Sequence, residues 1–130
     1  MKKSIKEIRV LIVDDNAINR QVLQFAMMKY KAHVETADNG EKALKLFQNN
    51  PYDLIFMDIM MPVMDGLEAT KAIRKYEKVK KTAKSHIIAV SANFQDEDLE
   101  DYLSAGLDKV IKKPVDFKTL NNWLDERYEL

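Results

Sequence analysis

A short apolar stretch that ends in a carboxylate constrains the fold of this chain more than any other feature. Residues 54–57 form a continuous apolar run, which is short enough for a strand buried on both faces of a sheet. The run stops at Asp58, turn residues follow at Pro62 and at Asp65-Gly66, and a helical pattern begins at Leu67. Asp58 is therefore expected at the carboxyl end of an interior strand, where open α/β sheets form their binding sites.

The same strand-then-helix pattern occurs five times along the chain. Strands are predicted at residues 8–13, 34–37, 54–57, 87–90 and 110–111, and apolar residues at helical spacing follow each of them. Such an alternation with short links predicts a parallel sheet with helices on both faces, because right-handed crossovers place them there. We predict one domain over residues 1–130, with a doubly wound five-stranded parallel sheet. The basic stretch at residues 75–84 is interpreted as a solvated loop between the third helix and the fourth strand.

Composition and charge exclude several classes of protein. The 21 basic and 21 acidic residues give a formal net charge of zero, which favours neither a nucleic acid nor a membrane surface as partner. The chain has no cysteine, so it has neither disulfides nor a thiolate metal site. No apolar run approaches the roughly 20 residues that a membrane span requires, and no apolar signal region follows the basic start. A soluble cytoplasmic protein is predicted.

Chemically capable side chains follow the predicted strands at one edge of the sheet. Asp14 and Asp15 follow the first strand, Asp58 the third, Ser91 the fourth and Lys113 the fifth. Each has an ordinary explanation, such as a helix cap for Asp14 or Asp15, a strand-end hydroxyl for Ser91 or a surface amine for Lys113. Together, however, three carboxylates repel each other unless a cation lies among them, and hard oxygen ligands suit Mg²⁺. A lysine and a hydroxyl supply what a phosphoryl group needs, and an ionised aspartate can be the nucleophile.

The motifs that carry these residues resemble those of the receiver domains of two-component signalling. They are Val13-Asp14-Asp15-Asn16, Met57-Asp58-Ile59-Met60-Met61-Pro62 with Asp65-Gly66, Val90-Ser91-Ala92, Ala105-Gly106 and Lys113-Pro114. The resemblance covers essentially the whole chain, and it is greatest to receivers of hybrid histidine kinases and phosphorelays. It implies a flavodoxin-like fold with strand order 2-1-3-4-5.

The resemblance also implies a role for each site residue. Asp58 would be the phosphoacceptor, Ser91 would hydrogen-bond the phosphoryl oxygen, and Lys113 rather than Lys112 would pair with it. Asp15 would bind Mg²⁺ directly and Asp14 mostly through water, while Asp58 and the backbone carbonyl of Met60 would complete the protein ligands. The Lys113–Pro114 bond is expected to be cis, which is plausible because its second residue is proline.

The resemblance predicts a phosphorylation-dependent switch whose partner is a histidine kinase or a histidine phosphotransfer protein. Neither turnover of an external substrate, nor direct nucleic-acid binding, nor membrane insertion is expected. Three departures from the family pattern are Val110 in place of an aromatic residue, Lys31 where a glycine commonly ends the first helix, and a longer link after the third helix. The alternative is a receiver-like interaction module that is never phosphorylated, and the intact acidic residues argue against it.

Overall fold

The computed structural model describes residues 2–130. The strands are β1 (Lys3–Ser4), β2 (Arg9–Val13), β3 (His33–Ala37), β4 (Leu54–Asp58), β5 (His86–Ser91), β6 (Lys109–Lys112) and β7 (Tyr128–Glu129). The α-helices are α1 (Ala17–Met28), α2 (Gly40–Asn49), α3 (Gly66–Lys80), α4 (Leu99–Ala105) and α5 (Phe117–Arg127). Short 3₁₀ helices at Ile5–Glu7 and Asp96–Asp98 precede β2 and α4.

The main sheet has five parallel strands in the order β3-β2-β4-β5-β6. Counted over the five predicted strands, this order is 2-1-3-4-5, so the predicted doubly wound, flavodoxin-like sheet is confirmed. The chain runs outward from β2 to β3 on one side and then returns to β4 on the other side. The strand order therefore reverses between β2 and β4, and a crevice forms there at the carboxyl ends of the strands.

The central strand β4 is buried at all five of its positions. Leu54 and Phe56 belong to the core cluster that α1 and α5 cover, whereas Ile55 and Met57 belong to the cluster on the side of α2, α3 and α4. Full burial of a side chain such as Phe56 stabilises the fold by about 1.5–3 kcal/mol. Because side chains alternate along a strand, this packing also fixes the face toward which Asp58 points.

Helix α3 is longer than the sequence pattern predicts. The prediction of a loop at residues 75–84 is wrong for its first part, because the helix continues to Lys80 and ends with Lys81 in the left-handed conformation at φ 55°. Glu77 lies on the buried stripe of this helix and is stabilised there by Arg74 at 2.8 Å and by the Ser85 amide at 2.8 Å. A buried charged residue interrupts the apolar period, so apolar spacing alone predicts an end of the helix that is too early.

A small second sheet was not predicted. Lys3 and Ser4 of β1 pair in parallel with Tyr128 and Glu129 of β7. The following 3₁₀ helix buries Ile5 completely, so the basic start of the chain is part of the folded domain. Strands of two residues are too short for hydrophobic alternation to indicate them. Among residues 2–130, none of the helices combines the length and the apolar character that a membrane span requires.

Candidate functional site

The predicted site residues lie along the carboxyl edge of the sheet. Asp14 follows β2, Asp58 is the last residue of β4, Ser91 is the last residue of β5, and Lys113 follows β6. The parallel register pairs Val13 with Met57 and Asp58 with Val90, so these strands end at nearly the same level. The edge therefore collects acidic, hydroxyl and basic side chains from four consecutive strands of the sheet.

Three carboxylates and one ammonium group meet in the crevice between β2 and β4. One carboxylate oxygen from each of Asp14, Asp15 and Asp58 lies within 4.8 Å of the others. Asp14 is 1% exposed and Asp58 is 4% exposed, while Asp15 reaches the solvent. The Lys113 ammonium lies 3.1 Å from Asp14 Oδ2 and 3.2 Å from Asp58 Oδ1. A single lysine thus offsets only part of the charge of the acidic cluster.

The electrostatics of the crevice follow from this arrangement. Burial and the negative charge of Asp14 raise the pKa of Asp58 to about 6, although the Lys113 ammonium acts in the opposite direction. Burial would lower the pKa of Lys113, but its hydrogen bond to Asp14 and the charge of Asp58 outweigh burial and raise it. The protein therefore holds an ammonium group beside a carboxylate whose ionisation is costly, and a further cation would stabilise the ionised form.

The backbone around the first acidic pair is fixed by its own polar groups. The Asp14 amide donates to the Ala37 carbonyl at 3.1 Å, and Asp14 Oδ1 accepts from the Asn16 amide at 2.9 Å. Asn16 is the residue that caps α1, because its Oδ1 accepts from the Asn19 amide at 3.0 Å. The alternative that Asp14 or Asp15 caps this helix is therefore wrong, and both remain available for other chemistry.

The turn after β4 requires its glycine. A Cβ at Gly66 would lie 2.2 Å from the Asp58 carbonyl oxygen, far inside any normal contact. The Gly66 amide donates to the Ile59 carbonyl at 2.9 Å, and Asp65 caps α3 by accepting from the Glu68 amide at 2.9 Å. Helix α3 consequently begins directly against the backbone of Asp58, which explains why the motif ends in Asp-Gly.

The two lysines at the end of β6 have different surroundings. Lys113 contacts the carboxylates, whereas the Lys112 ammonium lies 5.9 Å from the ring centre of Phe94 on the side of α4. The Lys113–Pro114 peptide bond is cis, as the resemblance implies. The Lys113 amide donates to the Ser91 carbonyl at 2.9 Å, which ties the lysine to the end of β5.

Ser91 and Met60 complete the predicted set. Ser91 is buried, and its Oγ has no hydrogen-bond partner within the described part of the chain. A buried hydroxyl without a partner at the edge of the crevice fits a ligand that accepts a hydrogen bond. Met60 lies in the turn after β4 with its side chain exposed; the metal-ligand role of its carbonyl stays a prediction.

The sequence motifs assign no role to two residues that build this site, Asn16 and Arg20. Asn16 could have been found from its position before a helical run, because asparagine is a preferred cap. Arg20 could not, since no spacing rule indicates that its guanidinium Nη1 donates to the Asp14 carbonyl at 2.8 Å.

The fold and the site define a class of protein, and the comparisons with known proteins give the same class. Residues 10–125 match the family model of the response regulator receiver domain, and the chain belongs to this family. It is similar to hybrid signal transduction histidine kinase G of Dictyostelium discoideum, with 39% identity over 119 residues, 90% of this chain and 3% of that protein. It is also similar to the sensor histidine kinase GacS of Pseudomonas protegens, with 37% identity over 86% of this chain and 12% of that protein. The chain thus spans a small fraction of these relatives.

Two solved structures are similar over nearly the whole chain. One is the co-crystal structure of the Saccharomyces cerevisiae histidine phosphotransfer signaling protein Ypd1 and the receiver domain of its downstream response regulator Ssk1. The match has a TM-score of 0.87 and 32% identity, and it covers 98% of this chain and 90% of that chain. The other is the receiver domain of the histidine kinase CKI1 from Arabidopsis thaliana complexed with Mg²⁺. Here the TM-score is 0.82 and the identity 36%, over 96% of this chain and 94% of that chain.

These findings identify the kind of function that the chain has. It is a receiver domain of two-component and phosphorelay signalling, and its acidic pocket of Asp14, Asp15 and Asp58 is consistent with phosphoryl acceptance. Nothing in the family, the neighbours or the site favours the alternative of a module that is never phosphorylated. The donor set of three carboxylate oxygens also fits the Mg²⁺ that the family binds.

Proposed function

We propose that Asp58 accepts a phosphoryl group from a phosphohistidine of a partner protein, with Mg²⁺ held by Asp14, Asp15, Asp58 and the Met60 carbonyl. One observation carries this proposal. The buried Asp58 carboxylate lies 3.2 Å from the Lys113 ammonium. At the same edge of the sheet, the buried Ser91 hydroxyl has no hydrogen-bond partner among residues 2–130. A carboxylate nucleophile, a fixed cation and a free donor are the groups that an aspartyl phosphate requires.

The transfer forms one bond and breaks one. A carboxylate oxygen of Asp58 attacks phosphorus, the phosphorus–nitrogen bond to the partner's imidazole breaks, and the departing imidazole nitrogen keeps the electron pair and takes up a proton. The bound Mg²⁺ would supply charge neutralisation at the phosphoryl oxygens. Lys113 pairs with one phosphoryl oxygen, and the Ser91 hydroxyl donates to another. No external substrate is turned over, because the product is the modified protein itself.

The partner is proposed to be a histidine kinase or a helical histidine phosphotransfer protein that docks on α1. Four apolar side chains on α1 are exposed, with fractions from 46% to 70%, and we call them the α1 apolar stripe: Ile18, Val22, Phe25 and Met28. Their exposure argues against the alternative that they serve as extra core packing. Phe117 of α5 lies beside the stripe, and a cavity lined by Asp14, Val22, Lys113 and Phe117 connects the stripe to the acidic crevice. Apolar patches next to a reactive site are typical of docking surfaces.

We further propose that residues 1–130 act as one receiver unit in the cytoplasm. The five-stranded sheet carries one hydrophobic core cluster on each face, and both clusters include side chains from across the sheet. This continuous packing supports a single folded unit. The lack of cysteine supports a reducing compartment such as the cytoplasm, because the chain needs no disulfide.

The proposal is tested by intact-mass measurement after incubation with acetyl phosphate and with a phosphorylated phosphotransfer protein. The mass should rise by one phosphoryl group only when Mg²⁺ or Mn²⁺ is present, and Asp58→Asn should abolish the rise. Asp125→Asn is the matched control, because Asp125 is exposed near the end of α5, is not one of the site residues and should be labelled like the wild type. Unchanged labelling of Asp58→Asn would show that another residue accepts the phosphoryl group.

A further inference from the structure

Arg20 bonds the backbone that joins the two acidic residues at the end of β2. Its Nη1 donates to the Asp14 carbonyl at 2.8 Å, and that carbonyl belongs to the peptide unit between Asp14 and Asp15. Arg20 is itself fixed in the first turn of α1, where its amide donates to the Asn16 carbonyl at 3.1 Å. We infer that Arg20 is a positioning residue, which orients this peptide so that the Asp14 and Asp15 carboxylates face the cation site. The inference rests on the proposed function.

Asp15 depends on this bond more than Asp14 does. Asp14 is held through its amide by Ala37 and through its carboxylate by the Asn16 amide and by Lys113 at 3.1 Å. The Asp15 side chain is exposed, and across residues 2–130 no hydrogen bond or salt bridge holds its carboxylate. Its direction is therefore set by the backbone on either side of it. Of the two peptide units that flank Asp15, Arg20 fixes the first.

A positioning role and a purely electrostatic role make opposite predictions. Arg20 carries a permanent positive charge close to a site for a divalent cation, so removing the charge alone would reduce repulsion and strengthen Mg²⁺ binding. Removing the bond to the Asp14 carbonyl frees the peptide and lets Asp15 turn away, which weakens Mg²⁺ binding. The sign of the change in affinity thus separates the two roles. A role confined to fold stability would leave the affinity of the folded protein unchanged.

The chain offers a matched control for the charge. Lys42 is a cation on helix α2, and its ammonium pairs with Asp38 at 2.9 Å rather than with the Asp14 backbone. Arg20 and Lys42 line the same surface depression beside Asp38. Lys42→Ala therefore removes a nearby positive charge without touching the peptide between the acidic residues. We expect the Mg²⁺ dissociation constant of this variant to equal that of the wild type or to be slightly lower.

The experiment is a Mg²⁺ titration of the folded protein by calorimetry for wild type, Arg20→Ala, Arg20→Lys and Lys42→Ala. Groups that orient metal ligands typically contribute 10–100-fold to affinity, so we expect Arg20→Ala to raise the dissociation constant about tenfold. Arg20→Lys keeps a donor and should restore part of the affinity. In EDTA, exchange of the Asn16 amide, which donates to Asp14 Oδ1, should be faster in Arg20→Ala, which gives a readout without metal. Arg20→Met removes the donor but keeps most of the side-chain length, and it replaces Arg20→Ala if that variant does not fold.

The outcomes separate this inference from the proposed function. A wild type that fails to bind Mg²⁺ would contradict the proposed function, and the positioning role would fall with it. Wild-type binding together with an Arg20→Ala affinity that is unchanged or tighter would overturn the positioning role alone. Weaker binding in Arg20→Ala, partial recovery in Arg20→Lys and no loss in Lys42→Ala would establish it.

Discussion

Replacing Asp58 with asparagine should stabilise the metal-free protein at neutral pH, although it removes the residue that the site is built around. Burial and the charge of Asp14 raise the pKa of Asp58 from 3.8 to about 6 in the folded protein. A group with a raised folded pKa contributes stability below its unfolded pKa and loses it as the pH rises through the folded value. The ionised carboxylate therefore destabilises the fold above about pH 6, and Asp58→Asn removes this penalty.

The size of the effect follows from the shift in pKa. A pKa difference of roughly two between the folded and unfolded states corresponds to a loss of folding free energy of about 3 kcal/mol as an upper bound. Solvent screening in the crevice reduces this loss to about 1–2 kcal/mol. For a domain of this size we expect the melting temperature in EDTA at pH 7.5 to rise by about 3–8 °C. The difference from wild type should shrink toward zero near pH 4, where the wild-type carboxyl is protonated.

Thermal unfolding followed by circular dichroism between pH 4 and 8, with Asp125→Asn as control, measures this prediction. Added Mg²⁺ should stabilise the wild type by about 1.4 kcal/mol at a tenfold excess over its dissociation constant, and Asp58→Asn by less. A variant that is less stable than wild type at pH 7.5 in EDTA would refute the reasoning. A stability difference that does not depend on pH would refute it as well.

Four further predictions concern other residues of the site and of the docking surface. Asp15→Asn should also raise the melting temperature in EDTA, by less than Asp58→Asn because Asp15 is exposed, and it should reduce the further rise in melting temperature that Mg²⁺ produces. A lower melting temperature of Asp15→Asn in EDTA would contradict the charge argument. Lys113→Ala should impair phosphorylation-dependent partner binding more than Lys112→Ala, since only Lys113 contacts the carboxylates, and equal effects in a binding assay would count against this. Ile18→Glu should slow transfer from a phosphotransfer protein but leave labelling by acetyl phosphate unchanged; an unaltered transfer rate would exclude docking on the α1 apolar stripe. Beryllofluoride with Mg²⁺ should move the backbone from Ser91 to Gln95 by a modest amount, and a crystal structure without change there would exclude a response through Ser91.

Much of the fold could be predicted because its core strands are continuous apolar stretches of the sequence. β4 reads as a buried strand since all of its side chains are covered, and Asp58 interrupts the run at the point where the sheet ends. The end of α3 could not be predicted from apolar spacing, because Glu77 occupies a buried position that only its contacts with Arg74 and Ser85 make tolerable. β1 and β7 depend on a pairing between chain segments more than 120 residues apart, which no local pattern indicates.

The candidate site was predictable to a different extent for each residue. The alternation of side chains along a strand separates Lys112 from Lys113, and strand ends bring Asp14, Asp58 and Lys113 together. The contact of Arg20 with the Asp14 carbonyl depends on where α1 packs, and that position is a tertiary property. Lys31 adopts the left-handed conformation at φ 63°. The turn after α1 therefore forms without the glycine that commonly ends this helix in the family.

The central claim is that Asp58 forms an aspartyl phosphate with the help of a divalent cation. The most direct test treats the protein with a phosphorylated phosphotransfer protein and Mg²⁺, reduces the acyl phosphate with borohydride, and maps the reduced residue by peptide mass spectrometry. We predict reduction at Asp58, dependent on the metal and absent from samples that contain EDTA. Reduction at a different residue, or none at any residue of a protein that binds Mg²⁺, would contradict the account.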